Sequence, residues 1–330
     1  MTERPTTGRN ASATSLVDVL NRAGLLDPRR VPALLASIGR WGPTTAAPYT
    51  ASAVATPTSP AIIDDRGTVS WFRLDRDSSA LAAGMHRLGL RRGEHIAVAC
   101  HNHREFVEAT IAAAKAGLGV VFMNTSFGAR QMNNVLARES VTGLIVDADL
   151  AELVDVDAFG GPVVLADLDR APDRGAKALG HACVTAIHNV RDGSLWRLPL
   201  RASLPVPPIL LTSGTTGTPK GARRSSGSAD ASAATGILER IPYRHDDVVA
   251  ITSPLFHAWG LAQMVLAATL GATVSLTTTF DADATLDRIE RDGVTVLAVV
   301  PAILQRWLAP PHFDDTDLSG LGIVAPSGSA

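Results

Sequence analysis

Cysteine is nearly absent from this 330-residue sequence, which holds only Cys100 and Cys183. Two residues so far apart are too few for a disulfide framework or a metal cage, and they fit a reducing compartment. An excess of either charge is missing too: 30 Lys and Arg stand against 32 Asp and Glu, a formal net charge of −2, so a nucleic-acid partner is not expected. Any anion site must therefore be local. Residues 1–15 carry Arg4 and Arg9 but no apolar run, so no secretory signal is read there, and a cytoplasmic protein is expected. Residues 248–280 contain no Asp, Glu, Lys or Arg and exceed a bilayer's span in length. Pro254, His257, Gly260, Gln263 and Gly271 divide that stretch into strand, loop, helix and strand, which favours a buried segment over a membrane span.

With 46% hydrophobic and 19% charged residues, the composition is that of a folded, packed globule, and the length suggests two core-forming units. Val31, Leu34, Leu35 and Ile38 fall at i, i+3, i+4 and i+7, which predicts a short helix with one apolar face, Pro32 lying near its start. Residues 43–60, rich in Thr, Ala, Ser and Pro, read as an extended connector. Strands and helices then alternate. Strands are expected at 96–100, 120–123, 144–146 and 163–165, and again at 209–211, 248–251, 273–276, 294–300 and 323–325, with helices between them. This spacing predicts a mostly parallel architecture in three parts: a helical extension and connector over 1–60, a first α/β unit over 61–205, and a second over 206–330.

The most informative string directly follows an apolar strand: Thr212, Ser213, Gly214, Thr215, Thr216, Gly217, Thr218, Pro219, Lys220 and Gly221. Glycines let backbone N–H groups approach an anion, hydroxyls add donors, and Lys220 brings a positive charge, so the string is a phosphate cradle in chemical terms. It lacks the G-x-x-x-x-G-K-[ST] spacing of the nucleoside-triphosphatase loop, and no G-x-G-x-x-G follows an early strand. A flexible surface turn is the bland alternative, which the position after a strand weakens.

The string T-S-G-T-T-G-T-P-K-G resembles the phosphate-binding signature of the adenylate-forming superfamily. Other segments resemble that family in the same order. Asn102 to Gly117 is similar to its N-x-x-E-F helix; Asn124 follows the next strand. Residues 254–260 look like its P-L-F-H-x-x-G loop, Val300-Pro301 like a short turn before a helix, and Ser327, Gly328, Ser329 and Ala330 like a small-residue loop beside the adenine. The resemblance implies two stacked, mostly parallel sheets with flanking helices, the family's large amino-terminal domain in incomplete form. It implies ATP, Mg²⁺ and coenzyme A as cofactors, and a fatty or other carboxylic acid activated first as the adenylate and then as the thioester, as in fatty-acyl-CoA ligases. It assigns Thr212 to Thr218 and Lys220 to the ATP phosphates, and His257 and Trp259 to the acyl pocket. No residue is assigned a catalytic role, and none a metal.

The family also carries an aromatic-Gly-x-Thr-Glu segment with a magnesium-binding Glu, a ribose-binding Asp and a catalytic Lys on a mobile domain, and no segment here resembles these. A truncated and inactive ligase is therefore expected, with a non-catalytic remnant that binds nucleotide or acyl chain as the alternative. Self-association through uncovered apolar surface and peripheral contact with a membrane are the remaining expectations.

Overall fold

The computed structural model describes residues 16–191, 205–212, 220–223, 236–308, 313 and 316–327. Three helices open the described chain: α1 (Leu16–Arg22), α2 (Arg30–Trp41) and α3 (Ala46–Ala55). A tight hairpin, β1 (Pro60–Asp64) and β2 (Gly67–Ser70), leads into α4 (Trp71–Arg87), whose N-terminus Ser70 caps by accepting from the Arg73 N–H. Alternation then begins with β3 (His95–Ala99), α5 (Arg104–Ala116), β4 (Gly119–Phe122), α6 (Ala129–Arg138) and β5 (Val141–Asp147). Shorter elements follow: α7 (Val156–Phe159), β6 (Val163–Ala166), α8 (Pro172–Ala178), β7 (Val184–Ala186) and α9 (Ile187–Val190). After β8 (Ile209–Thr212) and β9 (Lys220–Arg223) come β10 (Val248–Ile251), α10 (Ala258–Leu270), β11 (Thr273–Ser275) and α11 (Ala282–Asp292). The described chain closes with β12 (Val296–Val299), α12 (Pro301–Trp307) and β13 (Ile323–Pro326).

These strands make two sheets, in the orders β13-β12-β10-β11-β1-β2 and β7-β6-β5-β3-β4-β8-β9. Only β2 and β9, each at an edge, run antiparallel to their neighbours. The sheets do not divide at residue 205. β1 pairs in parallel with β11, Ile62 opposite Val274, so the hairpin before α4 belongs to the later sheet, while β8 and β9 extend the earlier one. Each unit thus lends two strands to the other, which a reading of consecutive strands cannot foresee.

Alternation along each strand sorts the core. Ile96 and Val98 join Val249, Val274 and Val296 in a central layer with α4, α5 and α10, whereas Ala97 and Ala99 face a second cluster around α6. Ala250, Leu297 and Val299 face a third, beneath α11 and α12. Residues 248–280 sit inside this architecture, and no described helix is long and apolar enough to cross a membrane.

Two expectations are corrected here. The extended connector contains α3, whose Ala46, Ala47, Tyr49 and Ser52 are buried. Its small side chains allow close approach to α10, and its hydroxyls bond α10 carbonyls: Tyr49 Oη donates to Met264 O at 3.2 Å and Ser52 Oγ to Ala268 O at 2.8 Å. The helix at 31–38 exists, but turned the other way. It buries Arg30, Ala33, Ser37 and Trp41, leaving Leu35 65%, Ile38 41% and Val31 36% exposed. Arg30 explains this: its guanidinium donates to Leu270 O at the end of α10, where unpaired carbonyls and the helix dipole favour a cation.

Candidate active site at the carboxyl edges of the sheets

In parallel sheets, ligands bind outside the carboxyl ends of the strands. The singled-out segments lie there: residues 100–103 after β3, Asn124 after β4, Thr212 at the end of β8, residues 252–257 after β10, Val300-Pro301 after β12 and Ser327 after β13.

Thr212 and Lys220 pair across the antiparallel β8–β9 ladder, so the two ends of the phosphate string lie opposite each other. Ser213, Gly214, Thr215, Thr216, Gly217 and Thr218 lie outside the described residues, as do Gly328, Ser329 and Ala330. Ser327 is described, and its N–H donates to Val299 O at 3.1 Å, continuing the β12–β13 pairing.

The loop after β10 is built from the backbone upward. The Thr252 N–H donates to Ala298 O at 3.1 Å and the His257 N–H to Pro254 O at 3.0 Å, which folds the loop into a turn. Gly260 allows α10 to start against that turn, since a Cβ there would stand 2.5 Å from Pro254 O and 3.1 Å from Leu255 Cα. Leu255 and Phe256 anchor the loop in the core, while His257 is exposed, its ring 4.5 Å from that of Phe256. Burial of part of the imidazole lowers the His257 pKa, which favours the neutral ring. Trp259 packs on the central core, and its buried indole Nε1 has no hydrogen-bond partner among the described residues.

Asn102 holds this loop to the other sheet. Its Oδ1 accepts from the Leu255 N–H at 2.8 Å, and its Nδ2 donates to Ser253 O at 2.9 Å and to Ile251 O at 3.4 Å. A side-chain amide sets an acceptor oxygen and a two-hydrogen donor side by side, which this clamp uses together. The rest of the N-x-x-E-F helix is structural in the same sense. Phe106 stacks on Phe122 with centroids 5.5 Å apart, Lys115 is buried with its ammonium on Asp75, Ser78 and Ser79, and Gly117 ends α5 at φ 75°.

Sequence reasoning missed an ionic seam beside Asn102. His103, almost fully buried, lies between Asp147 and Glu105, and Glu105 also takes the Arg66 guanidinium from the opposite sheet. Burial opposes the imidazolium, yet the charges of Asp147 and Glu105 lift the His103 pKa to about 10. Burial likewise opposes the Glu105 carboxylate, which His103 and Arg66 nonetheless hold down at about 2. The available signal was Cys-His-Asn-His and Asp-Ala-Asp, each at the end of an apolar strand.

Comparison with known proteins bears on this arrangement. The chain is 28% identical over 267 residues to a feruloyl-CoA synthase of Amycolatopsis sp, covering 79% of this chain and 49% of the relative. It is 33% identical over 250 residues to the 3-[(3aS,4S,7aS)-7a-methyl-1,5-dioxo-octahydro-1H-inden-4-yl]propanoyl:CoA ligase of Mycobacterium tuberculosis, covering 73% and 48%. The chain thus spans about half the length of the curated relatives it matches. Its fold matches a Mycobacterium tuberculosis fatty acyl CoA synthetase with a TM-score of 0.70 at 21% identity, covering 87% of this chain and 55% of that one. The AMP-binding enzyme family model matches residues 49–330, which shows that the chain belongs to the AMP-binding enzymes.

Proposed function

We propose that these residues form the nucleotide-phosphate and acyl-side half of a ligase that activates a fatty acid as its adenylate for transfer to coenzyme A. The observation that carries this reading is the string of hydroxyls, glycines and one lysine between Thr212 and Lys220, whose ends are joined by the β8–β9 ladder at a carboxyl edge. When bound, ATP supplies an electrophilic α-phosphorus and pyrophosphate as the leaving group. Thr212, Ser213, Thr215, Thr216, Thr218 and Lys220, with the N–H groups of Gly214 and Gly217, would hold the β- and γ-phosphates, where cations and fixed donors stabilise developing charge. His257 and Trp259 would border the acid. A neutral imidazole on the lip of the loop positions a carboxylate as a hydrogen-bond donor, and the indole Nε1–H is a second donor.

Magnesium and coenzyme A are expected cofactors by family. The glutamate that the family places on magnesium matches no residue of this sequence. The catalytic lysine has no match either, and we assign the 330 residues alone a negligible rate of adenylate formation.

A second reading, an aromatic or polycyclic acid as substrate, rests on the relatives named for feruloyl and indenylpropanoyl substrates. Membrane contact, where the acid is delivered from lipid, would use the α2 stripe of Val31, Leu35 and Ile38, flanked by exposed Arg29 and Arg40. The test is ATP–pyrophosphate exchange with fatty and aryl acids, using this chain and a version carrying the family's further segments. Exchange by the longer version with fatty acids supports the proposal. Exchange with aryl acids alone overturns the substrate, and robust exchange by the 330 residues overturns the assigned inactivity.

A further inference from the structure

The neighbouring strands β3 and β5 end in Cys100-His101-Asn102-His103 and Asp147-Ala148-Asp149. One donor atom from each of Cys100, His103 and Asp147 lies within 4.8 Å of the other two. The three residues are 0%, 2% and 0% exposed. Each of the three also has a partner outside the triple. His103 Nδ1 donates to Glu105 Oε2 at 2.9 Å, and Asp147 Oδ2 accepts from the His101 N–H at 2.7 Å. Cys100 Sγ has a long contact, 3.9 Å, to Ile145 O, and its thiol also bonds the Asp147 carboxylate. His103 Nε2 faces Asp147 almost symmetrically, 2.9 Å from Oδ1 and 3.0 Å from Oδ2.

We propose that Cys100 Sγ, His103 Nε2 and Asp147 Oδ1 form a binding site for one divalent transition cation, zinc by preference. Thiolate, imidazole and carboxylate together suit zinc or cobalt and disfavour magnesium and calcium, which take oxygen ligands. The Glu105 carboxylate on Nδ1–H supplies the outer partner that orients a metal-bound imidazole and raises its basicity. Proton balance also favours the exchange. Entry of the dication releases the Cys100 thiol proton and the His103 Nε2 proton to solvent, so two positive charges enter, two leave, and the buried cluster keeps its net charge.

An adjacent triple, His101, Asp147 and Asp149, shares Asp147, and Asp149 Oδ1 is buried with no hydrogen-bond partner among the described residues. A site buried this deeply is structural. It would tie β3 to β5 and, through Glu105 and Arg66, the earlier sheet to the later one.

The test uses the full chain with Cys183→Ser, because Cys183 is exposed and is the only other thiol. Zinc content is measured as isolated, and the protein is then stripped in denaturant with chelator and refolded with cobalt. The expected result is stoichiometric metal, intense visible bands of tetrahedral cobalt and a thiolate-to-cobalt charge-transfer band in the near ultraviolet. Cys100→Ser should abolish the charge-transfer band, and His103→Gln should reduce metal content from stoichiometric to trace, with folding checked by circular dichroism. Absence of zinc as isolated together with no cobalt uptake, or a cobalt spectrum unchanged by Cys100→Ser, overturns the site and leaves the seam an ion-pair network only.

Discussion

Replacing Asn102 should uncouple the His257 loop from the sheet that steadies it. Asn102→Ala deletes the bonds at 2.8 Å to the Leu255 N–H and at 2.9 Å to Ser253 O, together with the weaker one at 3.4 Å. Residues 253 and 255 are buried, so a donor and an acceptor are left without partners. Each orphaned group costs about 1–3 kcal/mol, which gives a loss of about 2–5 kcal/mol after some relaxation or water entry. Asn102→Asp separates the two halves of the clamp. It keeps an acceptor for Leu255 but sets a charged oxygen against the Ser253 and Ile251 carbonyls, and burying that unpaired charge makes it worse than alanine at pH 7. Urea unfolding reads the stability, and amide exchange at Leu255 reads the bond itself. Alanine should speed Leu255 exchange far more than global destabilisation accounts for. Unchanged Leu255 protection in the alanine variant, or an aspartate variant as stable as the parent, would refute the clamp.

Gly260→Ala should destabilise by about 1–3 kcal/mol in thermal or urea unfolding, because its Cβ meets backbone rather than a side chain that can turn aside. Gly271→Ala should do comparable damage in the same assay: the residue sits at φ 71°, and an added Cβ falls on the Arg30 guanidinium. Leu35→Glu, at a position 65% exposed, should change unfolding free energy by less than about 0.5 kcal/mol yet reduce sedimentation with anionic vesicles; equal sedimentation would remove α2 as the membrane contact.

The strands announced themselves where apolar runs such as residues 96–99 and 248–251 are buried on both faces, and the glycines 117, 271 and 293 ended helices at positive φ as their positions suggest. What stayed hidden depends on partners far away in sequence. Nothing near Ile62 says that it will pair with Val274, and Ala, Ser and Thr around Tyr49 read as a connector until α10 supplies carbonyls for their hydroxyls. The α2 stripe misled for a related reason. Periodicity identified a helix but not its inward side, which Arg30 decided by reaching the end of α10. At the candidate site, the loop of residues 254–260 was legible as a motif, whereas the role of Asn102 as its clamp needed the two sheets side by side.

The central claim is that the string joining Thr212 to Lys220 holds the phosphates of ATP. Calorimetric titration of the 330-residue chain with ATP and magnesium, repeated with Lys220→Ala and with pyrophosphate as competitor, tests it most directly. Binding that pyrophosphate displaces and that Lys220→Ala weakens at least tenfold, a change of about 1.4 kcal/mol, is the predicted result. Equal affinity in the two proteins, or no ATP binding by a folded wild-type chain, would contradict it.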